Sequence, residues 1–462
     1  MKIKGVRLYF LPVKTRVPFR FGHESMTGVV CARAAVEAED AGGKRATGWG
    51  ETPLNVQWMW PSALPCGARA AAVREFCLRL AKAWAAVADD GHPFELGAAF
   101  IEHALPALAR EFNRGRAPAE PVPWLAALVC CSAFDLALYD AFGLLAGRPV
   151  FETLGRGWLA KDLSASLQPD GGAAVSFAGK YPADFLQPPP KKLAAWHTVG
   201  GGDALEEADL DGGEPDDGHP VLLRDWIKRD GLRCLKIKLH GNDDARDYAR
   251  LVRIAGIARA LGVLWLCADY NCAVADPAYV TAMLDRLLAD APEVYAMLLY
   301  VEQPFPHELE EHPIDVRAVT ARKPLFMDES AHDWRCVRRG RALGWSSVAL
   351  KTCKTLTGAL LSLCWARAHG MTLMVQDLTN PMLAMIPHAL LAAHAGTIMG
   401  VETNAPQYYP DASRAEAAVH PGLYRRREGG IGLSTLAGPG FGYHLDRIKR
   451  ALPPPAAAHG NF

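Results

Sequence analysis

Five charged residues close five short apolar runs in the second half of this 462-residue chain. They are Lys238 in CLKIKLH, Asp269 in LWLCADYN, Glu302 in LLYVEQP, Asp328 in PLFMDES and Lys351 in SVALKTC. Three carboxylates with no His or Cys among them are hard oxygen donors, which favours Mg²⁺ over softer ions. A lysine on either side of that set could take or return a proton. A metal beside a substrate carboxylate makes the neighbouring α-proton acidic and stabilises the enediolate left by its loss. Two opposed bases then allow racemisation or epimerisation. A leaving group β to the carboxylate would turn the same intermediate toward elimination. Lys236 stands two residues before Lys238, on the same face of a strand. Two ammonium groups buried together near a divalent cation are expected to lower each other's pKa toward that of a base at neutral pH. Lys354 is expected in the loop or helix that follows.

The gaps between the five charges are 31, 33, 26 and 23 residues, close to one strand-helix unit each. From Cys234 onward, strand patterns at 234–239, 263–268, 297–301, 325–327, 347–350, 372–375 and 397–401 alternate with helical ones. Such repetition predicts a parallel α/β fold. No Gly-rich phosphate turn follows the first strand, and Gly200-Gly201-Gly202 does not fit a dinucleotide frame. A closed barrel is therefore favoured, with residues just past the carboxyl ends of its strands meeting on one rim. Asp269, Glu302 and Asp328 would lie side by side along a third of that rim, each beside a polar neighbour (Asn271, Gln303, Glu329).

Residues 1–60 read as an antiparallel sheet, and 66–113 as helical. The stretch from about Pro123 to Leu145 is apolar nearly all round and predicts a buried helix. Residues 155–220, rich in Gly, Pro and acidic side chains, predict a loop-rich insertion with partial order and one strand at Lys192–Val199. The tail from Leu452 is expected to fray.

Lys+Arg and Asp+Glu both number 50, so electrostatics gives no reason to expect nucleic acid or an anionic membrane as a partner. The 11 Cys are scattered through apolar segments without a CxxC pair, as in a reduced cytoplasmic protein. The N-terminus alternates like a strand, and no apolar run is read as reaching the roughly 18 residues of a membrane span.

In this order and spacing, the pieces resemble the enolase superfamily and its muconate-lactonizing-enzyme-like subgroup. They are GWGE at 48–51, AFDLALYDAFGLLAGRP at 133–149, the Lys236/Lys238 pair, DYN at 269–271, VEQP at 301–304, MDES at 327–330 and Lys351. The resemblance implies an α/β architecture, a modified TIM barrel (β/α)7β with an α+β capping domain. The expected division is 1–150 for the cap, 151–190 for a loop-rich insertion, 191–402 for the barrel, and 403–462 for a segment returning to the cap with a disordered tail. It implies Mg²⁺ on Asp269, Glu302 and Asp328, with Asn271 and Glu329 supporting them. It implies Lys238 and Lys351 as paired acid and base, with Lys236 beside Lys238 or the substrate carboxylate. Candidate substrate contacts are His23 and Trp58 from cap loops, and Asp377 and Glu402 from late strands. The expected partner is a small-molecule carboxylate, in a homo-oligomer. Racemisation or epimerisation is the leading reading; a lyase, dehydratase or cycloisomerase is the alternative. A barrel that binds without turnover has little need of opposed bases.

Overall fold

The computed structural model describes residues 1–22, 24–116, 120–171 and 174–460. Three long antiparallel strands open the chain: β1 (Lys2–Phe21), β2 (Glu24–Glu39) and β3 (Arg45–Pro53). Between β2 and β3, the Asp40 carboxylate accepts from the amides of Gly42 (2.8 Å) and Lys44 (3.0 Å) and closes the turn. The helix Trp124–Ala146 lies against this sheet. Its approach explains two glycines of the GWGE segment. A Cβ on Gly50 would stand 2.2 Å from the Ala133 carbonyl oxygen, and one on Gly48 would stand 2.1 Å from the Ala141 nitrogen. Backbone meets backbone there, so no side chain fits.

The same helix is 23 residues long and apolar enough, by length and composition, to cross a membrane, contrary to the expectation that no run comes near. It is 94% buried inside the protein over its apolar window. Its two acidic residues join the parts of the molecule. Asp135 accepts from the amide (3.0 Å) and hydroxyl (2.7 Å) of Thr357, and Asp140 accepts from the amides of Trp49 and Phe441, both at 2.9 Å. Burial raises their pKa values to about 6 and about 7.

Eight parallel strands follow: β4 (Lys192–Val199), β5 (Cys234–Lys238), β6 (Trp265–Asp269), β7 (Leu298–Glu302), β8 (Leu325–Met327), β9 (Ser347–Leu350), β10 (Thr372–Val375) and β11 (Val401–Glu402). They pair in sequence order from β4 to β10, and β11 returns to pair with β4. The Ile398 amide donates to the Leu373 carbonyl at 2.8 Å and joins the two ends of the ring. A helix lies between each strand and the next, which is the (β/α)7β order.

Alternation along the strands builds the interior in two layers. Trp196, Cys234, Cys267, Tyr300, Phe326 and Met374 form a buried apolar floor. Two residues further along each strand stand Thr198, Lys236, Asp269, Glu302, Asp328 and Gln376, all buried. The polar layer thus rests on an apolar one, at the carboxyl ends of the strands.

One expectation needs correction. The Pro-rich tail does not fray: Ala457–Gly460 forms a short strand that pairs antiparallel with Gly5–Leu8 on the open edge of the cap sheet. Edge pairing satisfies backbone groups that composition alone leaves free. The insertion is loop-rich as expected, and Leu154, Leu159, Leu163, Leu167 and Phe177 anchor it in the barrel's outer core.

Gly50→Val should therefore cost about 3 kcal/mol or more, by forcing helix and sheet apart. Chemical denaturation measures it; a loss below about 0.5 kcal/mol, the usual range for a surface change, would contradict the close approach.

Candidate active site

The register aligns Lys238 with Asp269 and Asp269 with Glu302, so three charged groups from β5, β6 and β7 share one height on the rim. Asp328 follows β8 and Lys351 follows β9. Lys238 and Lys351 therefore come from strands four apart in a ring of eight, half a turn from each other. The three carboxylates occupy the arc between them. Glu402, at the end of β11, stands half a turn from Glu302.

Lys236 spans that gap. Its ammonium lies 2.5 Å from Glu302 Oε1, 3.1 Å from Asp269 Oδ2 and 3.2 Å from Glu402 Oε2. Lys238 Nζ lies 2.5 Å from Asp269 Oδ2. Lys351 Nζ lies 3.2 Å from Asp328 Oδ2 and donates to the Asp377 carbonyl at 2.8 Å.

Burial and crowding set the protonation of this cluster. Burial raises the Glu302 pKa well above its usual range, and neighbouring Asp269 adds to the shift. Burial acts on Asp269 in the same direction, but the ammonium groups of Lys238 and Lys236 outweigh it and hold its pKa low. Glu402 is held at about 2 against burial, chiefly by Lys236 and Lys351. The protein's own groups raise the pKa of Lys236: burial opposes its charge, but Glu302, Glu402 and Asp269 together win, whereas the lowering expected from the sequence counted a bound divalent cation. A lysine among three carboxylates is a cross-link between strands. Lys351 is likewise held charged by Asp328 against burial.

The polar neighbours act on the carboxylate loops. The Asn271 amide donates to Asp269 Oδ1 (3.0 Å), and its side chain donates to Glu329 Oε1 (3.1 Å). The Gln303 side-chain oxygen accepts from the amides of Asp328 (2.7 Å) and Ser330 (3.2 Å). Both Asn271 (φ 44°) and Gln303 (φ 30°) have left-handed backbone, a strain that sits two residues after Asp269 and one after Glu302.

Cap and barrel leave a narrow cleft of about 30 Å³ over the cluster, lined by Phe19, Phe21 and Trp58 above and by Lys238, Asp328, Lys351 and Glu402 below. Each outer lysine meets a cap ring: Lys238 Nζ is 6.0 Å from the Phe21 centroid, and Lys351 Nζ is 5.0 Å from that of Trp58. The Trp58 indole also donates to Glu329 at 2.9 Å. His23 lies outside the described residues. Larger surface clefts open elsewhere, but they lack these convergent carboxylates and opposed lysines.

Asp377 lines the cleft, and its carboxylate also accepts from the amides of Asn380 (2.7 Å) and Asn404 (2.6 Å), so it ties two late loops together. His388 Nε2 donates to the Glu402 backbone oxygen at 2.7 Å, as a structural histidine would. Two contributors escaped sequence reading. Lys354 is buried, and its ammonium donates to the carbonyls of Asp328 (2.5 Å) and Ala331 (3.1 Å). Gln376 donates to Glu302 Oε2. The alternation from Met374 could have placed Gln376 on the inner face; nothing local marked Lys354.

Comparison with known proteins agrees with this architecture. Residues 221–449, close to half of the chain, match the family Enolase C-terminal domain-like. Aromatic dipeptide epimerase of Herpetosiphon aurantiacus is 30% identical over 254 residues, covering 53% of this chain and 65% of that protein. The chain thus spans just under two thirds of that relative's length. A dipeptide epimerase of Enterococcus faecalis, solved with Mg and the dipeptide L-Leu-L-Tyr, has a TM-score of 0.59 at 18% identity, with 90% of this chain and 93% of that one covered. N-succinyl Arg/Lys racemase of Bacillus cereus has a TM-score of 0.62 at 16% identity, with 99% of each chain covered. These structures share the fold.

Asp377→Ala should cost about 2–4 kcal/mol, since two buried amides lose their acceptor. Unfolding by urea tests it; unchanged stability would contradict the loop-tying role and, with lost activity, leave substrate contact as the role of Asp377.

Proposed function

We propose that this protein epimerises or racemises the α-carbon of a small carboxylate, with Lys238 and Lys351 exchanging the proton on opposite faces. The half-turn separation of these two lysines across one cleft carries the reading. The residues also fit a divalent cation. Asp328 Oδ1 is buried without a hydrogen-bond partner. Six buried carboxyl groups (Asp269, Glu302, Asp328, Glu329, Asp377 and Glu402) meet four buried lysines (236, 238, 351 and 354), two more acids than amines. Asp269, Glu302 and Asp328 would hold Mg²⁺. When bound, the ion supplies positive charge beside the substrate carboxylate, making the α-proton acidic and stabilising the enediolate.

The protein's own groups then do the rest. For one of the lysines to accept a proton it must first lose its own. A cation on Asp269 and Asp328 would withdraw the charge that now keeps Lys351 an ammonium. Lys238 and Lys351 would then stand as acid and base in either order, one removing the α-proton and the other returning it from the far side. Lys236, tied to Glu302 and Glu402, fixes the floor. Phe21 and Trp58 exclude water over the two lysines. Glu402 stays ionised at the far end of the cleft, and suits a cationic group such as the free amino terminus of a dipeptide. The relatives that act on dipeptides and N-acylated amino acids support that class of substrate.

Incubation with dipeptides and N-acyl amino acids in D₂O with Mg²⁺ tests the proposal. Inversion with α-deuteration is expected. Lys238→Ala and Lys351→Ala should each lower inversion by about 10²–10⁴-fold, while each retains exchange from one stereoisomer. Formation of an alkene or loss of water would favour a lyase or cycloisomerase. Wild-type inversion by Lys351→Ala would contradict the assignment.

A further inference from the structure

We propose that His307, Glu308 and His332 form a second cation site, for a borderline-soft divalent ion such as Zn²⁺, on the barrel rim outside the carboxylate cluster. His307 and Glu308 lie in the loop after β7, and His332 in the loop after β8. One donor atom from each lies within 4.8 Å of the other two, the one such three-residue group found among the described residues. His307 Nε2 stands 3.1 Å from Glu308 Oε1, close to the roughly 3.3 Å expected between donors that each sit about 2.0–2.1 Å from a tetrahedral Zn²⁺. The rings of His307 and His332 have centroids 5.8 Å apart.

His332 supplies the second observation. It is only 5% exposed, and its Nε2 is buried without a hydrogen-bond partner. An orphaned imidazole nitrogen in a dry site carries a desolvation cost that ligation would remove. Burial also lowers its pKa to about 3, so the ring is neutral and its lone pair is available. Glu308 is held ionised, first by the hydrogen bond from His307. Glu308 and His307 are 45% and 21% exposed at the side chain, so both can rotate onto an ion anchored at His332. Two imidazoles and one carboxylate suit Zn²⁺, whereas the oxygen-only cluster on the inner rim suits Mg²⁺.

The site bears on the inner rim through the backbone. Ala331, next to His332, accepts from Lys354, whose ammonium also donates to the Asp328 carbonyl. An ion on His332 would pin the segment that carries Asp328. Its role is to stiffen the rim, not to take part in proton transfer.

The test titrates Zn²⁺ into the full-length protein at saturating Mg²⁺, against a chromophoric chelator. One Zn²⁺ per chain is expected, with a higher melting temperature. His332→Ala and His307→Ala should each weaken Zn²⁺ binding by about tenfold or more. Glu302→Gln should leave it unchanged, which separates this site from the carboxylate cluster. His307→Ala changes a part-exposed residue, so the proposal stays testable even if His332→Ala fails to fold. No stoichiometric Zn²⁺, or binding undiminished in both histidine variants, would overturn the site. Loss of Zn²⁺ in Glu302→Gln with retention in His307→Ala would move the ion to the inner cluster and also overturn it.

Discussion

The structure depends on one electrostatic constraint: more carboxylates than ammonium groups are buried at a single barrel mouth. Taking each charge out of water costs several kcal/mol unless a partner offsets it. Four lysines offset four of the six acids. The remaining two must be met by protons, which the raised pKa values of Glu302, Glu329 and Asp377 allow, or by a divalent cation. A fold kept for stability alone would have little reason to concentrate charge this way. Such an arrangement makes sense where a cation, and a substrate carboxylate beside it, complete the balance.

The barrel turns that constraint into geometry. Eight strands set positions every eighth of a turn, and alternation lifts each inward side chain onto the apolar floor of Trp196, Cys267, Tyr300 and Phe326. Carboxylates on three consecutive strands converge, while lysines on β5 and β9 oppose. Lys236 reaches across to Glu302 and Glu402 and so ties opposite walls together. The cap closes the mouth with rings over the two outer lysines. Its position is secured where Asp135 of the long helix binds Thr357 of the barrel.

Much of this was legible in the chain. Strand ends could be read because apolar alternation stops at a charge, and strand order follows from spacing; Lys192–Val199 emerged as a strand inside an otherwise loop-like stretch for the same reason. The parts that were not legible depend on partners distant in sequence. Asp377 looks free until its carboxylate meets the Asn404 amide, 27 residues on. Lys354 looks like a loop residue until its ammonium reaches Asp328. The Pro-rich tail pairs with the first strand of the chain. The direction of the Lys236 shift turned on counting carboxylates from three other strands, which no local window contains.

The central claim is that this buried excess of acids is a metal site. Isothermal calorimetry of Mg²⁺ into the metal-depleted protein addresses it most directly. The account predicts one ion per chain for the wild type, and binding weakened beyond detection in Glu302→Gln, which keeps the shape and removes the charge. Absence of Mg²⁺ binding in the wild type, or equal affinity in Glu302→Gln, would contradict it.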